Sequence, residues 1–190
     1  MKRVDVRGKR RLLDDFFKVD EVTASVERYD GTMSEPRRLL VFERGDSVAA
    51  LVWLEDAERL LFTEQFRLPT LDKGPGWLLE IAAGMIDRGE TPDAAIRREI
   101  EEELGYRVEG VQPIAHFYVS PGGSSERIWL YSVDAREPTR VSGGGGIGDE
   151  DVRVVRMTVD DAREALTAGR FVDAKTIVAL QWWLARRDPR

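Results

Sequence analysis

At 190 residues and a net charge of −6, the chain suits one domain with a small appendage, and its acidic balance argues against nonspecific nucleic-acid binding, which needs a basic footprint. Apolar residues make up 42% and charged ones 34%, the composition of a soluble globular protein rather than a disordered one. The absence of cysteine excludes disulfides, thiolate metal sites and a cysteine nucleophile, and fits a cytoplasmic location.

The opening MKRVDVRGKRRLLDDFF is basic but lacks the apolar core and cleavage site of a signal peptide. No apolar run is long enough to span a bilayer, so no membrane partner is expected. Val22 to Tyr29 alternates loosely, Asp30-Gly31 signals a turn, and Arg38 to Glu43 reads as extended. Residues 1–45 are therefore expected to form a small antiparallel β appendage, followed by a main domain over 46–190. SVAALVWL, Ser47 to Leu54, predicts a buried strand, and RLLFTEQFR, Arg59 to Arg67, its hairpin partner. After a Pro/Gly loop, Trp77 to Gly84 predicts one further strand.

Thr91 as N-cap, Pro92 at the first helical position, Asp93 in the first turn and Gly105 just past the end predict a single helix from Pro92 to Leu104. Strands are expected at Pro113–Val119, Arg127–Val133 and Asp151–Met157. The glycine run Ser142–Gly146 predicts a loop that is costly to order. Val159–Ala168 and Ala174–Arg187 read as helices, the second with an apolar stripe through Ile177, Leu180, Trp183 and Leu184. This order of elements predicts a mixed α/β sandwich.

The stretch from Gly84 to Tyr106 holds five Glu and no Lys. On a helix, Ile96, Ile100 and Leu104 form the buried stripe, Glu99 and Glu103 share one face, Glu102 flanks it, and Glu101 points to solvent. Like charges at this spacing repel, so an ordinary solvated face competes with a second reading. In that reading the clustered hard oxygens hold Mg²⁺ or Mn²⁺, and with it the phosphates of a substrate. Trp53, Trp77 and Phe117 read as core rather than base-stacking residues, and His116, the sole histidine, as a satisfied core residue. With one histidine no Ser-His-Asp triad is available, and no Gly-rich Lys loop of the P-loop type is present.

Gly84, five residues, Glu90, seven residues, then Arg98-Glu99-Ile100-Glu101-Glu102-Glu103-Leu104-Gly105-Tyr106 resembles the Nudix box at every fixed position. The resemblance implies a Nudix hydrolase with an α/β/α sandwich around a mixed sheet, plus the small N-terminal antiparallel β appendage. It implies that Glu99 and Glu103, with the Ala83 carbonyl, bind Mg²⁺ or Mn²⁺, and that Glu102 assists catalysis. Glu90 and Arg98 would brace the loop, with Gly84 and Gly105 structural.

Outside the box, Glu64-Gln65-Phe66-Arg67, Trp77-Leu78-Leu79-Glu80 and the stretch Ser120 to Arg127 resemble the ADP-ribose pyrophosphatase branch; Pro121 falls sixteen residues after Gly105. Substrate contacts implied by this likeness are Arg67, which could clamp a phosphate, with Glu80, Met85, Pro121, Gly122 and Glu126. Glu150, then Asp149, in the loop Ser142–Val152 would bind metal or act as base; Gly148 stands where relatives often carry a Glu. The implied reaction cleaves the pyrophosphate bond of a nucleotide sugar, ADP-ribose first, with GDP-mannose or another nucleotide sugar, or a non-cleaving sensor, as alternatives. The appendage implies a homodimer.

Overall fold

The computed structural model describes residues 1–187, so the last three positions of the domain expected over 46–190 lie outside the described residues. The chain forms two compact units. The smaller holds Met1–Asp46 and Tyr118–Arg127; the larger holds Ser47–Phe117 and the chain from Ile128 on.

The smaller unit is a three-stranded antiparallel sheet: β1 (Val4–Asp14), β2 (Lys18–Val26) and β3 (Arg37–Glu43), in that order. β1 is absent from the sequence reading because it is exposed along its whole length and carries no alternating apolar face. Cross-strand charge supports it instead: Arg10 and Arg11 lie directly opposite Glu21 and Asp20 and pair with them. β2 starts four residues earlier than its alternation suggests, at Lys18, which brings Asp20 into the sheet. Hydrogen bonds from Arg11 and then Lys9 hold the buried Asp20 carboxyl below the usual carboxylate range. The stretch 118–127 is stitched to β3: Phe42 N–H donates to Gly123 O at 2.8 Å, and Ser125 N–H to Phe42 O at 3.1 Å.

The larger unit is built from β4 (Ser47–Leu54), β5 (Arg59–Phe66), β6 (Trp77–Glu80), β7 (Ala82–Met85), α1 (Pro92–Glu99), β8 (Gln112–Tyr118), β9 (Arg127–Ala135), β10 (Arg153–Met157), α2 (Val159–Thr167) and α3 (Ala174–Arg187), the last residue of β8 and the first of β9 being counted with the smaller unit. Its seven-stranded sheet runs β10-β5-β4-β9-β8, with β6 beside β5 and β7 beside β4. β4 and β9 are parallel, whereas β4 pairs antiparallel with β5 and β7, which makes the sheet mixed.

All eight residues of β4 are buried. Val48, Ala50, Val52 and Leu54 meet Ala95, Ile96, Ile100 and Leu104 on one face. Ala49, Leu51 and Trp53 meet Ala162, Ala165, Ala179, Leu180 and Trp183 on the other. Burial on both faces explains an unbroken apolar run, and each fully buried Leu or Val there contributes about 1.5–3 kcal/mol. The layering is the expected α/β/α sandwich with the small antiparallel sheet beside it in sequence.

The strand expected over Trp77–Gly84 is instead two. β4 and β5 pair only near their hairpin, at Val52↔Leu61 to Leu54↔Arg59, and then diverge. The segment fills the gap, β6 following β5 (Thr63↔Glu80) and β7 following β4 (Ala50↔Ala82). Ile81 makes the step between them. Its backbone N–H is taken by Thr176 Oγ1 of α3 at 2.9 Å, so the break leaves no buried donor unpaired. β7 then delivers Gly84 to the loop that leads into α1.

Candidate active site

Thr91 caps α1, its hydroxyl accepting the Ala94 N–H at 3.3 Å. The expected single helix changes character after Glu99: Ile100–Leu104 widen into a π-helical turn, closed by Gly105 N–H to Ile100 O at 3.1 Å. Such turns recur at functional sites because they re-aim side chains within a helix. The turn bears Glu102 and Glu103.

The helix ends at Gly105, and its open carbonyls find partners in the glycine-rich loop. Gly145 N–H donates to Glu103 O at 2.9 Å and Gly146 N–H to Glu102 O at 3.1 Å. A Cβ on Gly144 would stand 2.3 Å from the Glu103 backbone oxygen. The glycine run therefore allows backbone to meet backbone, and the loop is anchored on the carboxylate helix.

Glu99 and Glu103 are 9% and 4% exposed. Glu99 lies against Gly84 so closely that a Cβ there would meet its carboxylate at 1.9 Å. Glu103 accepts the Ala83 N–H at 3.0 Å. Arg98 binds the set together: its guanidinium donates to both Glu90 oxygens at 3.1 and 3.0 Å, to Glu99 at 2.7 Å, to Glu102 at 3.0 Å and to the Met85 carbonyl at 3.0 Å. The expected brace with Glu90 is thus one part of a wider grip, which holds the Arg98 pKa above its usual value and the Glu90 carboxyl below its own. Glu101 faces outward, paired with Arg107.

Burial raises the Glu103 pKa to about 8, with Glu99 and Glu150 adding to the rise while the Ala83 N–H and Arg67 oppose it. Glu99 is raised as well, chiefly by burial, with Glu102 and Glu150 adding to it. Glu150 is therefore electrostatically part of the cluster, although its carboxylate accepts the Ile147 N–H of its own loop at 3.1 Å. Asp149 is exposed at the loop tip.

The other expected substrate contacts distribute unevenly. Arg67 pairs with Glu80 at 2.7 Å, and Glu80 is buried with both oxygens occupied, the second by Lys175 at 2.7 Å. Lys175 carries no box signal, and nothing in its local sequence marks it, because its partners Glu80 and Arg67 lie far away along the chain. Pro121, Gly122 and Glu126 belong to the smaller unit, where Glu126 is buried against Arg44 at 3.6 Å.

Two aromatic readings are corrected. Trp77 is 51% exposed rather than core, because β6 is four residues long and Trp77 is its first; with Glu64, Asp151 and Arg153 it lines an open depression of about 320 Å³. His116 is exposed and stacks on Trp129; β8, the last strand of the sheet order, is exposed or half-buried along its whole length. Trp53 is core, and Phe117 is half-buried against the cluster that contains it.

Among the described residues no three His, Cys, Asp or Glu side chains are gathered tightly enough to cage a metal directly; Arg98 and the Ala83 N–H take oxygens of Glu99 and Glu103. The donor set nevertheless fits a hard divalent cation. It is all oxygen, two carboxylates are buried, Glu99 against a glycine that leaves it room, and their repulsion is what a cation relieves. A pH dependence follows. In metal-free protein Glu103 keeps a proton up to about 8, whereas the unfolded chain releases it near its ordinary 4.5. Within that window the folded state binds more protons, so stability falls as pH rises. Thermal melts in chelator should show the midpoint dropping from about pH 5 to about pH 8, with added Mg²⁺ restoring it most at the upper end. A midpoint rising across the window would contradict a buried, protonated Glu103.

The NUDIX domain family matches residues 44–180. GDP-mannose pyrophosphatases of Cronobacter sakazakii and Pectobacterium atrosepticum are each 34% identical to the chain, covering 94% and 96% of it and 93% and 95% of the relatives. A crystal structure of an ADP compounds hydrolase superposes with a TM-score of 0.73 over 99% of this chain and 97% of its own, at 18% identity, a likeness of fold. The chain belongs to the Nudix hydrolase family: it is a Nudix pyrophosphohydrolase of the nucleotide-sugar type.

Proposed function

We propose that the protein hydrolyses the pyrophosphate bond of GDP-mannose, giving GMP and mannose 1-phosphate, with Mg²⁺ as cofactor. The observation that carries the chemistry is the pair of buried carboxylates, Glu99 packed against Gly84 and Glu103 accepting the neighbouring Ala83 N–H. The names of relatives aligned over nearly the whole chain support GDP-mannose over the ADP-ribose preference of the sequence reading.

Glu99 and Glu103, with the Ala83 carbonyl, would hold the divalent cation, and the chemistry it would supply there is neutralisation of charge on the phosphoryl oxygens. Arg98 fixes the orientation of Glu99 and Glu102. Glu102, the more accessible of the two, and Glu150 on the anchored loop are the groups that orient the attacking water or take its proton. Arg67 offers a guanidinium to the diphosphate.

Initial rates on GDP-mannose, ADP-ribose, UDP-glucose and NADH in Mg²⁺ test the assignment. GDP-mannose should give the highest kcat/KM. A higher value for ADP-ribose would keep the chemistry and replace the substrate. Tight binding with no cleavage of any member would indicate a sensor.

A further inference from the structure

Lys175, in the first turn of α3, is only 8% exposed. Its Nζ lies 2.7 Å from Glu80 Oε1 and 3.0 Å from Asp173 Oδ2. Asp173 is itself fixed by the Thr176 N–H at 3.1 Å and the Thr176 hydroxyl at 2.6 Å. The same hydroxyl oxygen accepts the Ile81 N–H, so the start of α3 is locked to the step between β6 and β7. Glu80, the last residue of β6, spends its other oxygen on Arg67 Nε at 2.7 Å. Both Glu80 oxygens are thus taken by cations, so the carboxylate bears on a ligand through Arg67.

Burying such ions contributes little to stability, since apolar residues of like shape do as well or better. The arrangement does control the direction of Arg67. That side chain is 37% exposed, and its charge reaches Glu103 in the carboxylate cluster. Glu80 engages only its Nε. Among the described residues the two Nη nitrogens hold no hydrogen bond, and they form the planar fork that grips phosphate oxygens in pairs.

We propose that Lys175 is a positioning residue: by occupying and neutralising Glu80, it keeps the Arg67 Nη fork turned outward to grip the diphosphate of the substrate. With Lys175 removed, Glu80 has a free oxygen and an unbalanced charge, and Arg67 folds back into a two-pronged pair with it. The inference rests on the nucleotide-sugar reading for its ligand, but its test does not need turnover.

The test is a double-mutant cycle on GDP binding, measured by calorimetry in Mg²⁺, with KM and kcat for GDP-mannose alongside. Lys175→Met should weaken GDP binding and raise KM by about tenfold while kcat stays within about twofold, because the grip acts on ground and transition states alike. In an Arg67→Met background the same change should add nothing. Lys175→Arg, which keeps the charge, should recover most of the loss. Should Lys175→Met fail to fold, Lys175→Met/Glu80→Gln is compared with Glu80→Gln alone; the two should bind GDP alike, since Lys175 acts only through the Glu80 charge. Unchanged GDP binding in Lys175→Met, an undiminished Lys175→Met effect without Arg67, or a further loss when Lys175→Met is added to Glu80→Gln overturns the positioning role. If the wild-type protein binds GDP but cleaves no nucleotide sugar, the proposed function fails while the cycle still decides the role of Lys175.

Discussion

Glu103→Gln should lower kcat by at least about 10²-fold without loss of the fold. Glutamine has nearly the shape of glutamate, and its side-chain oxygen can still accept the Ala83 N–H that Glu103 accepts now. It also resembles the protonated carboxyl that burial favours at neutral pH in metal-free protein. The substitution therefore costs the fold little, and above about pH 5 in chelator it should melt no lower than wild type. What it removes is the negative charge available to a cation and, through it, to the phosphoryl group. The predicted signature is a melting curve like wild type with Mg²⁺-dependent turnover nearly gone. Turnover within a few-fold of wild type would mean that this carboxylate does not serve the chemistry.

Gly84→Ala attacks the same cluster from the backbone side. Gly84 is not among the glycines with left-handed φ, so alanine meets no backbone strain there. The obstacle is the Glu99 carboxylate, whose three terminal atoms would stand 1.9, 2.0 and 2.4 Å from the new methyl carbon. The end of a flexible side chain yields more readily than backbone does, so the protein should fold, with Glu99 displaced. Loss of one correctly placed oxygen ligand should weaken metal affinity by about 10–100-fold. The Mg²⁺ concentration for half-maximal rate should rise accordingly, while the melting temperature in chelator hardly moves. An unchanged Mg²⁺ requirement would show that Glu99 is not needed at that place.

What could be read from the sequence was what periodicity and fixed spacing encode. SVAALVWL announces a strand buried on both faces, and Thr91-Pro92-Asp93 a helix start, because these signals are local. The face shared by Glu99 and Glu103 follows from helical spacing, and the box makes it specific. The missing pieces depend on partners distant in sequence. β1 has little apolar rhythm and is held to β2 by the backbone ladder and cross-strand charge pairs. The break at Ile81 is set by the divergence of β4 and β5 and by a hydrogen bond to Thr176, 95 residues away. The glycine run reads as costly to order, yet the helix it packs against supplies the hydrogen bonds that order it. Lys175 is invisible for the same reason, since a lone lysine near a helix start normally faces water. Trp77 and His116 show the reverse error, in which residue type suggested burial and strand position decided exposure.

The most direct test of the account is product analysis. Purified protein is incubated with GDP-mannose in Mg²⁺, with and without chelator, beside Glu103→Gln, and the products are resolved by anion-exchange chromatography. GMP and mannose 1-phosphate in equal amounts, lost in chelator and in the variant, are the result predicted. GDP with free mannose, or cleavage that survives both chelator and Glu103→Gln, would contradict a carboxylate-held metal acting on the pyrophosphate bond.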